Sequence, residues 1–212
     1  AQLAPHGKTS MCPALFRRQL EQGAWGMTLA SAVQTCTAYA GGVRRVLMAN
    51  QLVGRANMAL IADLQEDVTF EFHCMVDHPD NVQALGEFFA ERGQRLNVMI
   101  EYGVVGGRCG CRTEQQVLDL AAAIKAQPAL ELQQDGAFAL DKPIITASGS
   151  AWYDLIAEGF EAEAASGRFL SILRPGSYVV HDHGIYKDAQ CCVLDRRSDL
   201  HVLGTPPAFV LS

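Results

Sequence analysis

Between residues 27 and 126, short apolar runs alternate with stretches of helical period, and this βα order constrains the fold more than any other feature. Strand-like runs at 27–30, 46–49, 69–76 and 97–100 are separated by helical patterns at 32–40, 54–65 and 81–92, with another helix over 114–126. Each link has room for one crossover helix, so successive strands run parallel. A parallel sheet is buried on both faces, and its most economical closure is a barrel. The punctuation agrees. A helix over 13–22 starts with Pro13 and stops at Gly23, and Gly93 ends the helix over 81–92. Thr113 caps the helix over 114–126, which ends before Pro128.

Three segments carry chemistry. In Pro5-His6-Gly7-Lys8-Thr9 a short apolar strand runs out on a lysine, just ahead of the helix begun by Pro13. An amine at the mouth of a βα unit can lose part of its hydration, which favours the neutral form and a Schiff base with a carbonyl. After the strand at 97–100 comes Gly103-Val104-Val105-Gly106-Gly107-Arg108-Cys109-Gly110. Its glycines let backbone approach a ligand closely, and its guanidinium can donate to an anionic oxygen. Arg174-Pro175-Gly176-Ser177-Tyr178 follows a strand at 169–173, and a Gly-Ser pair at a strand's C-terminal end suits a phosphate.

Pro5-His6-Gly7-Lys8-Thr9, Asn50-Gln51-Leu52-Val53-Gly54, Gly107-Arg108-Cys109-Gly110 and Pro175-Gly176-Ser177-Tyr178 occur in that order and far apart. Together they resemble the D-threonine aldolase and D-serine dehydratase family, whose pyridoxal-phosphate barrel is shared with alanine racemase. The resemblance implies an α/β chain, a pyridoxal-phosphate-binding, TIM-like (β/α)8 barrel over residues 1–200. Residues 201–212 would be a tail or a remnant of the family's C-terminal β domain, which is otherwise lacking. The barrel is also expected to lack one βα unit. Seven strands are countable where the family has eight, residues 130–132 reading as a strand that starts and does not continue. About 15 residues then precede the strand at 143–146, where a full unit needs about 30. Two accounts are open: a truncated chain, or numbering that runs on over omitted residues, with a seam near Leu132 and Gln133 and another near His201. The second is favoured, because a barrel short of an interior unit exposes two unpaired edges.

By the same resemblance, Lys8 forms the Schiff base with the cofactor and acts as the base, with His6 packed beside it. Arg108 contacts the cofactor's phenolic oxygen. Ser148, Gly149 and Ser150, with Gly176, Ser177 and Tyr178, form the phosphate cup, and Ser150 also caps a helix from Ala151. Ala147 and Ser148 depart from the glycine-richer loop of the family. A divalent metal would be bound by residues outside this chain, and His181-Asp182-His183 is assigned none, although its two histidines share a strand face. The partner of the cofactor's ring nitrogen would lie near the missing strand. The implied activity is that of a lyase on D-3-hydroxy amino acids, water elimination with ammonia release standing slightly ahead of aldol cleavage. A racemase and a non-catalytic pyridoxal-phosphate carrier are the alternatives. The partner is a small D-amino acid substrate, and a homodimer is compatible with it.

Composition removes other classes. The net charge of −6 argues against a nucleic-acid binder. No apolar run reaches the roughly 18 residues that cross a bilayer, and residues 1–20 carry no signal-peptide pattern, so a cytoplasmic chain is expected. Seven cysteines at no zinc or redox spacing read as mostly buried, reduced thiols.

Overall fold

The computed structural model covers residues 1–212 of the sequence, and its described residues are 2–132, 143–148, 153–167, 169–176 and 185–197. They form, in chain order, β1 (Gln2–Leu3), α1 (Pro13–Glu21), β2 (Met27–Leu29), α2 (Ala32–Ala40), β3 (Arg45–Gln51), α3 (Arg55–Leu64), β4 (Glu71–Val76) and α4 (Pro79–Glu91). There follow β5 (Leu96–Ile100), α5 (Glu114–Lys125), β6 (Leu130–Leu132), β7 (Ile144–Ala147), α6 (Tyr153–Ser166), β8 (Leu170–Leu173) and α7 (Ile185–Arg196). The boundaries have local causes. Thr113 accepts from the Gln116 amide while Gln116 reaches back to the Thr113 amide, a capping box that starts α5. Gly23 and Gly93, just past α1 and α4, sit at φ of +91° and +63°, where a side chain would be strained.

Every strand pairing is parallel, in the orders β1-β8-β7 and β2-β3-β4-β5-β6. The residues after β1 join the two sheets. Ala4 and His6 donate backbone bonds to Leu173 and Pro175 on one side, while Thr28 donates to Pro5 and Gly7 to Thr28 on the other. The array therefore reads β7-β8-β1-β2-β3-β4-β5-β6.

Its curvature shows in the packing. Ala4, Leu47, Met75, Met99, Ile144 and Ile172, from opposite ends of that order, form one buried cluster. The alternate residues Val46, Met48, Phe72, Cys74, Val76, Val98 and Ile100 point the other way, into a larger cluster with Phe16, Ile61, Phe89 and Ile124 of the helices. Strands buried on both faces around a shared interior are those of an α/β barrel.

Two expectations change. Leu130–Leu132 is a true strand, in register with Leu96, Asn97 and Val98, so the described residues hold eight strands rather than seven. What stays short is the sixth unit, since only residues 133–142 separate β6 from Pro143. Among the described residues no ladder joins β6 to β7. Gln133 and His201, the expected seams, lie outside the described residues. The cysteines also differ from expectation: all seven are free, but only Cys74 and Cys111 are buried, and Cys191 and Cys192 are exposed.

The N-terminal end of the barrel carries a polar cluster. Glu71 accepts from Arg45 Nε at 2.5 Å and lies 2.8 Å from Nε2 of the buried His73, whose ring packs against Trp25. The hydrogen bond with His73 holds the Glu71 carboxyl down at about 2. An acid depressed in the folded state adds stability above its ordinary value near 4.5, and that contribution is lost as pH falls toward 2. The denaturation midpoint of the wild type is therefore expected to exceed that of Glu71→Gln by a constant amount above pH 5. Between pH 4.5 and 2 the gap should close. A gap unchanged at pH 2.5 would refute this role.

Candidate functional site

In a parallel array every strand's C-terminal end faces the same way, so the loops that follow share one mouth. Lys8 follows β1, Arg108 follows β5, Ser148 follows β7 and Gly176 follows β8. A cavity of about 690 Å³ opens there, lined by Met75, Glu101, Arg108, Thr146, Ser148 and Arg174 among others. That size falls within the roughly 300–1,000 Å³ usual for small-molecule sites.

The segment that carries Lys8 is fixed from below. A Cβ on Gly7 would come within 2.6 Å of the Phe16 ring, so glycine is what lets the chain cross that side chain. Gly176 backs onto His6, where a Cβ would stand 3.0 Å from that of His6. Lys8 is exposed, and its amide lies 3.5 Å from His6 Nδ1, the outer limit of a hydrogen bond. The expectation of a partly desolvated lysine is thus corrected: the withdrawn group is its neighbour. Burial, with the charges of Lys8 and Arg174 beside it, pulls His6 down to about 4, so the imidazole is neutral at neutral pH. Lys8 does not itself line the cavity; it stands next to it through His6 and Arg174.

The glycine-rich turn has a built frame. Arg112 donates to the carbonyls of Gly107 at 2.8 Å, Cys109 at 2.6 Å and Gly110. Gly110, at φ +95°, donates to Asp77 Oδ2 at 2.8 Å and passes so close to Gly103 that a Cβ would sit 2.5 Å from its nitrogen. Arg112 is spent on the loop, and Arg108, beside Cys109, is left exposed at the cavity's rim. A bulge between Met48 and Gln51 ends the regular register of β3, and Gln51 Nε2 donates to Glu101 Oε2 at 3.0 Å.

The structure thus brings Arg108 and Ser148 into one cavity, with His6, Lys8 and Gly176 clustered beside it. Gly149, Ser150, Ser177, Tyr178 and the His181-Asp182-His183 segment lie outside the described residues. Arg174 was missed as a site residue although its segment was noticed. The signal was available, because it stands two residues beyond the inward-facing Ile172 and so continues the interior face.

Asp77, Glu101 and Cys109 bring possible ligand atoms within 4.8 Å of one another. Each is already engaged, Asp77 by the Gly110 amide, Glu101 by Gln51 and Cys109 by Arg108. With a guanidinium inside the set it does not fit a divalent ion. A phosphate-bearing aldehyde fits better, since two guanidiniums and the Ser148 hydroxyl face one cavity and a primary amine stands next to it.

A model of the family described as alanine racemase, N-terminal domain, matches residues 22–138. Among curated proteins, the chain is 29% identical over 126 residues to a D-threonine aldolase of Arthrobacter sp, covering 59% of this chain and 33% of the relative. It is 26% identical over 198 residues to a 3-hydroxy-D-aspartate aldolase of Paracoccus denitrificans (strain Pd 1222), covering 88% and 51%. The fold resembles that of the D-threonine aldolase from Filomicrobium marinum, with a TM-score of 0.70 at 23% identity over 85% of this chain and 55% of that one. The chain spans about a third to a half of the length of the curated relatives it matches.

Proposed function

The chain belongs to the family of alanine racemase N-terminal domains, and from that premise we propose that it is the cofactor-binding barrel of a pyridoxal-phosphate-dependent lyase acting on D-3-hydroxy amino acids. The observation that carries the reading is the pairing of a lysine at the end of β1 with a cavity holding Arg108, Arg174 and Ser148 at the same mouth. The aldolase names of the two curated relatives support cleavage of the Cα–Cβ bond as the first reading. Water elimination, placed first in the sequence, drew mainly on residues outside the described ones.

Bound pyridoxal phosphate supplies an electron sink for charge developing at Cα. The remaining work falls to the chain. The Lys8 amine would hold the cofactor and would carry the proton that leaves the substrate's Cβ hydroxyl to Cα as the Cα–Cβ bond breaks. Neutral His6 keeps a second positive charge away from that amine. Arg108 and Ser148 offer donors to the cofactor's anionic oxygens. Gly149, Ser150, Gly176, Ser177 and Tyr178 complete the phosphate cup on this reading, which places residues 1–200 in the barrel. The divalent ion belongs to residues outside this chain, and a homodimer is its assembly. Among the described residues no helix is long and apolar enough to cross a membrane.

Product analysis tests the proposal. Full-length protein with pyridoxal phosphate should release glycine and an aldehyde from D-threonine or D-3-hydroxyaspartate. 2-Oxobutyrate from the first or oxaloacetate from the second, with ammonia, would move the assignment to water elimination. Racemised substrate alone, or no product from any of them, would exclude a lyase.

A further inference from the structure

Cys109 and Cys111 flank a bend that the rest of their loop pins in place. Arg112 Nη1 donates to the Cys109 carbonyl at 2.6 Å and also to that of Gly110. Consecutive carbonyls point opposite ways in an extended chain, so they share one donor only where the backbone turns. Gly110, at φ +95°, makes that turn and donates to Asp77 Oδ2 at 2.8 Å. Both sulfurs stand around the same aspartate. Cys109 Sγ lies within 4.8 Å of a carboxylate oxygen of Asp77, and Cys111 Sγ is 4.0 Å from the Asp77 carbonyl oxygen. The Cα atoms of residues i and i+2 lie at most about 7 Å apart even in an extended chain. The bend brings these two closer, into the range of about 4.4–6.8 Å that a disulfide takes.

The two thiols differ in access. Cys109 is partly exposed and has the Arg108 guanidinium on its sulfur, whereas Cys111 is buried. Cys109 is therefore the sulfur that meets an oxidant first, and Cys111 is the one placed to resolve it. Arg108 and Cys109 line both the cavity of about 690 Å³ and a second one of about 520 Å³, whose wall also includes Cys111. The loop over 107–110 is thus a partition between two cavities, and a bond made at Cys109 acts directly on a guanidinium of the larger one. One intervening residue is not the usual redox spacing, and the turn at Gly110 is what makes the pair reactive toward each other.

We propose that Cys109 and Cys111 form a reversible oxidation site whose disulfide releases Arg108. The oxidant is a peroxide. Cys109 Sγ attacks one peroxide oxygen, the O–O bond breaks, and a sulfenic acid and one water result. Cys111 Sγ then attacks the Cys109 sulfur and expels the remaining oxygen as a second water, so two thiols give up two electrons and two protons to one peroxide. A ring closed over a single residue is strained, and a dithiol reopens it by exchange. The new bond takes the Cys109 sulfur away from the guanidinium, and Arg108 loses its tether at the larger cavity. The effect on cofactor binding rests on the lyase reading, in which Arg108 meets the cofactor, while the thiol pair itself does not.

The test is a non-reducing digest of the full-length protein after treatment with hydrogen peroxide, with remaining thiols alkylated. Trypsin cuts after Arg108 and Arg112 and releases Cys109-Gly110-Cys111-Arg112 as one peptide. From treated wild type this peptide should be unalkylated and lighter by two hydrogens, and dithiothreitol should return it to the doubly alkylated form. The affinity for pyridoxal phosphate should fall by about ten-fold on oxidation, the loss of one charge-assisted contact, and recover with dithiothreitol. In Cys111→Ser the same treatment should leave the affinity where it was. If Cys111→Ser does not fold, Cys111→Ala takes its place. Absence of the lighter peptide overturns the proposal, as does a disulfide that leaves the affinity unchanged. An equal loss of affinity in the Cys111 variant also overturns it, by assigning the effect to another cysteine. A wild type that forms the disulfide but binds no pyridoxal phosphate even when reduced would remove the lyase reading, and the role of Arg108 with it, and leave the oxidation site standing.

Discussion

Lys8→Ala is expected to abolish the visible absorbance of protein-bound pyridoxal phosphate and to lower turnover by about 10²–10⁴-fold or more, the range in which a positioned acid–base group contributes. The amine is the covalent attachment point and the proton carrier on this reading, so one substitution removes two roles. It should do so without unfolding the chain. Lys8 is exposed, and among the described residues its amine has no ion-pair partner. What positions the segment lies beneath it, in the crossing of Gly7 over Phe16 and the bond from His6 to the Pro175 carbonyl. The melting temperature is therefore expected to stay within a few degrees of wild type. A borohydride-reducible adduct that survives in Lys8→Ala would show that another amine holds the cofactor.

Phe72→Ala should bring the largest loss of stability, about 3–5 kcal/mol. Phe72 is fully buried on the central strand β4, stacks near Phe70 and faces the helix layer within the main cluster. Truncation leaves a hole between two rigid layers that cannot close over it. For a chain of this size the loss corresponds to a drop of roughly 10 °C in melting temperature. A drop of under 3 °C would mean that the layer repacks freely, contrary to the close packing described.

How much was legible follows from which interactions are local. The helices from α1 to α5 could be placed to within about two residues because their caps and stops, such as Thr113, Gly23 and Gly93, act within one turn. The parallel order followed from link length. Helix α7 was not foreseen: among its described side chains only Val193 is buried, and the helix docks through Arg196, which pairs at 3.0 Å with the buried Asp154 of α6. A pairing 42 residues apart leaves no periodic trace. Strand β6 was read as abortive because three residues are too few for a strand pattern, and its ladder with β5 is what makes it one. Likewise Lys8 drew attention by its chemistry, while the burial that falls on His6 and the place of Arg174 on the cavity wall depend on what the barrel brings together.

The seam between the two sheets carries a consequence for how the molecule comes into being. Gln2 is paired with Ile172, so the first strand and the eighth are joined across 170 residues of chain. Strands β2 to β6 form a ladder of sequential neighbours and can assemble early, since each closes a short loop. The first strand has no such early partner in β8 during synthesis and must wait until the ribosome has delivered it. A nascent chain can therefore own most of its framework while Lys8 is still without Arg174 beside it. On the proposed function, cofactor capture is a late event, and a pulse of labelled pyridoxal phosphate during translation should mark only chains that have passed residue 176.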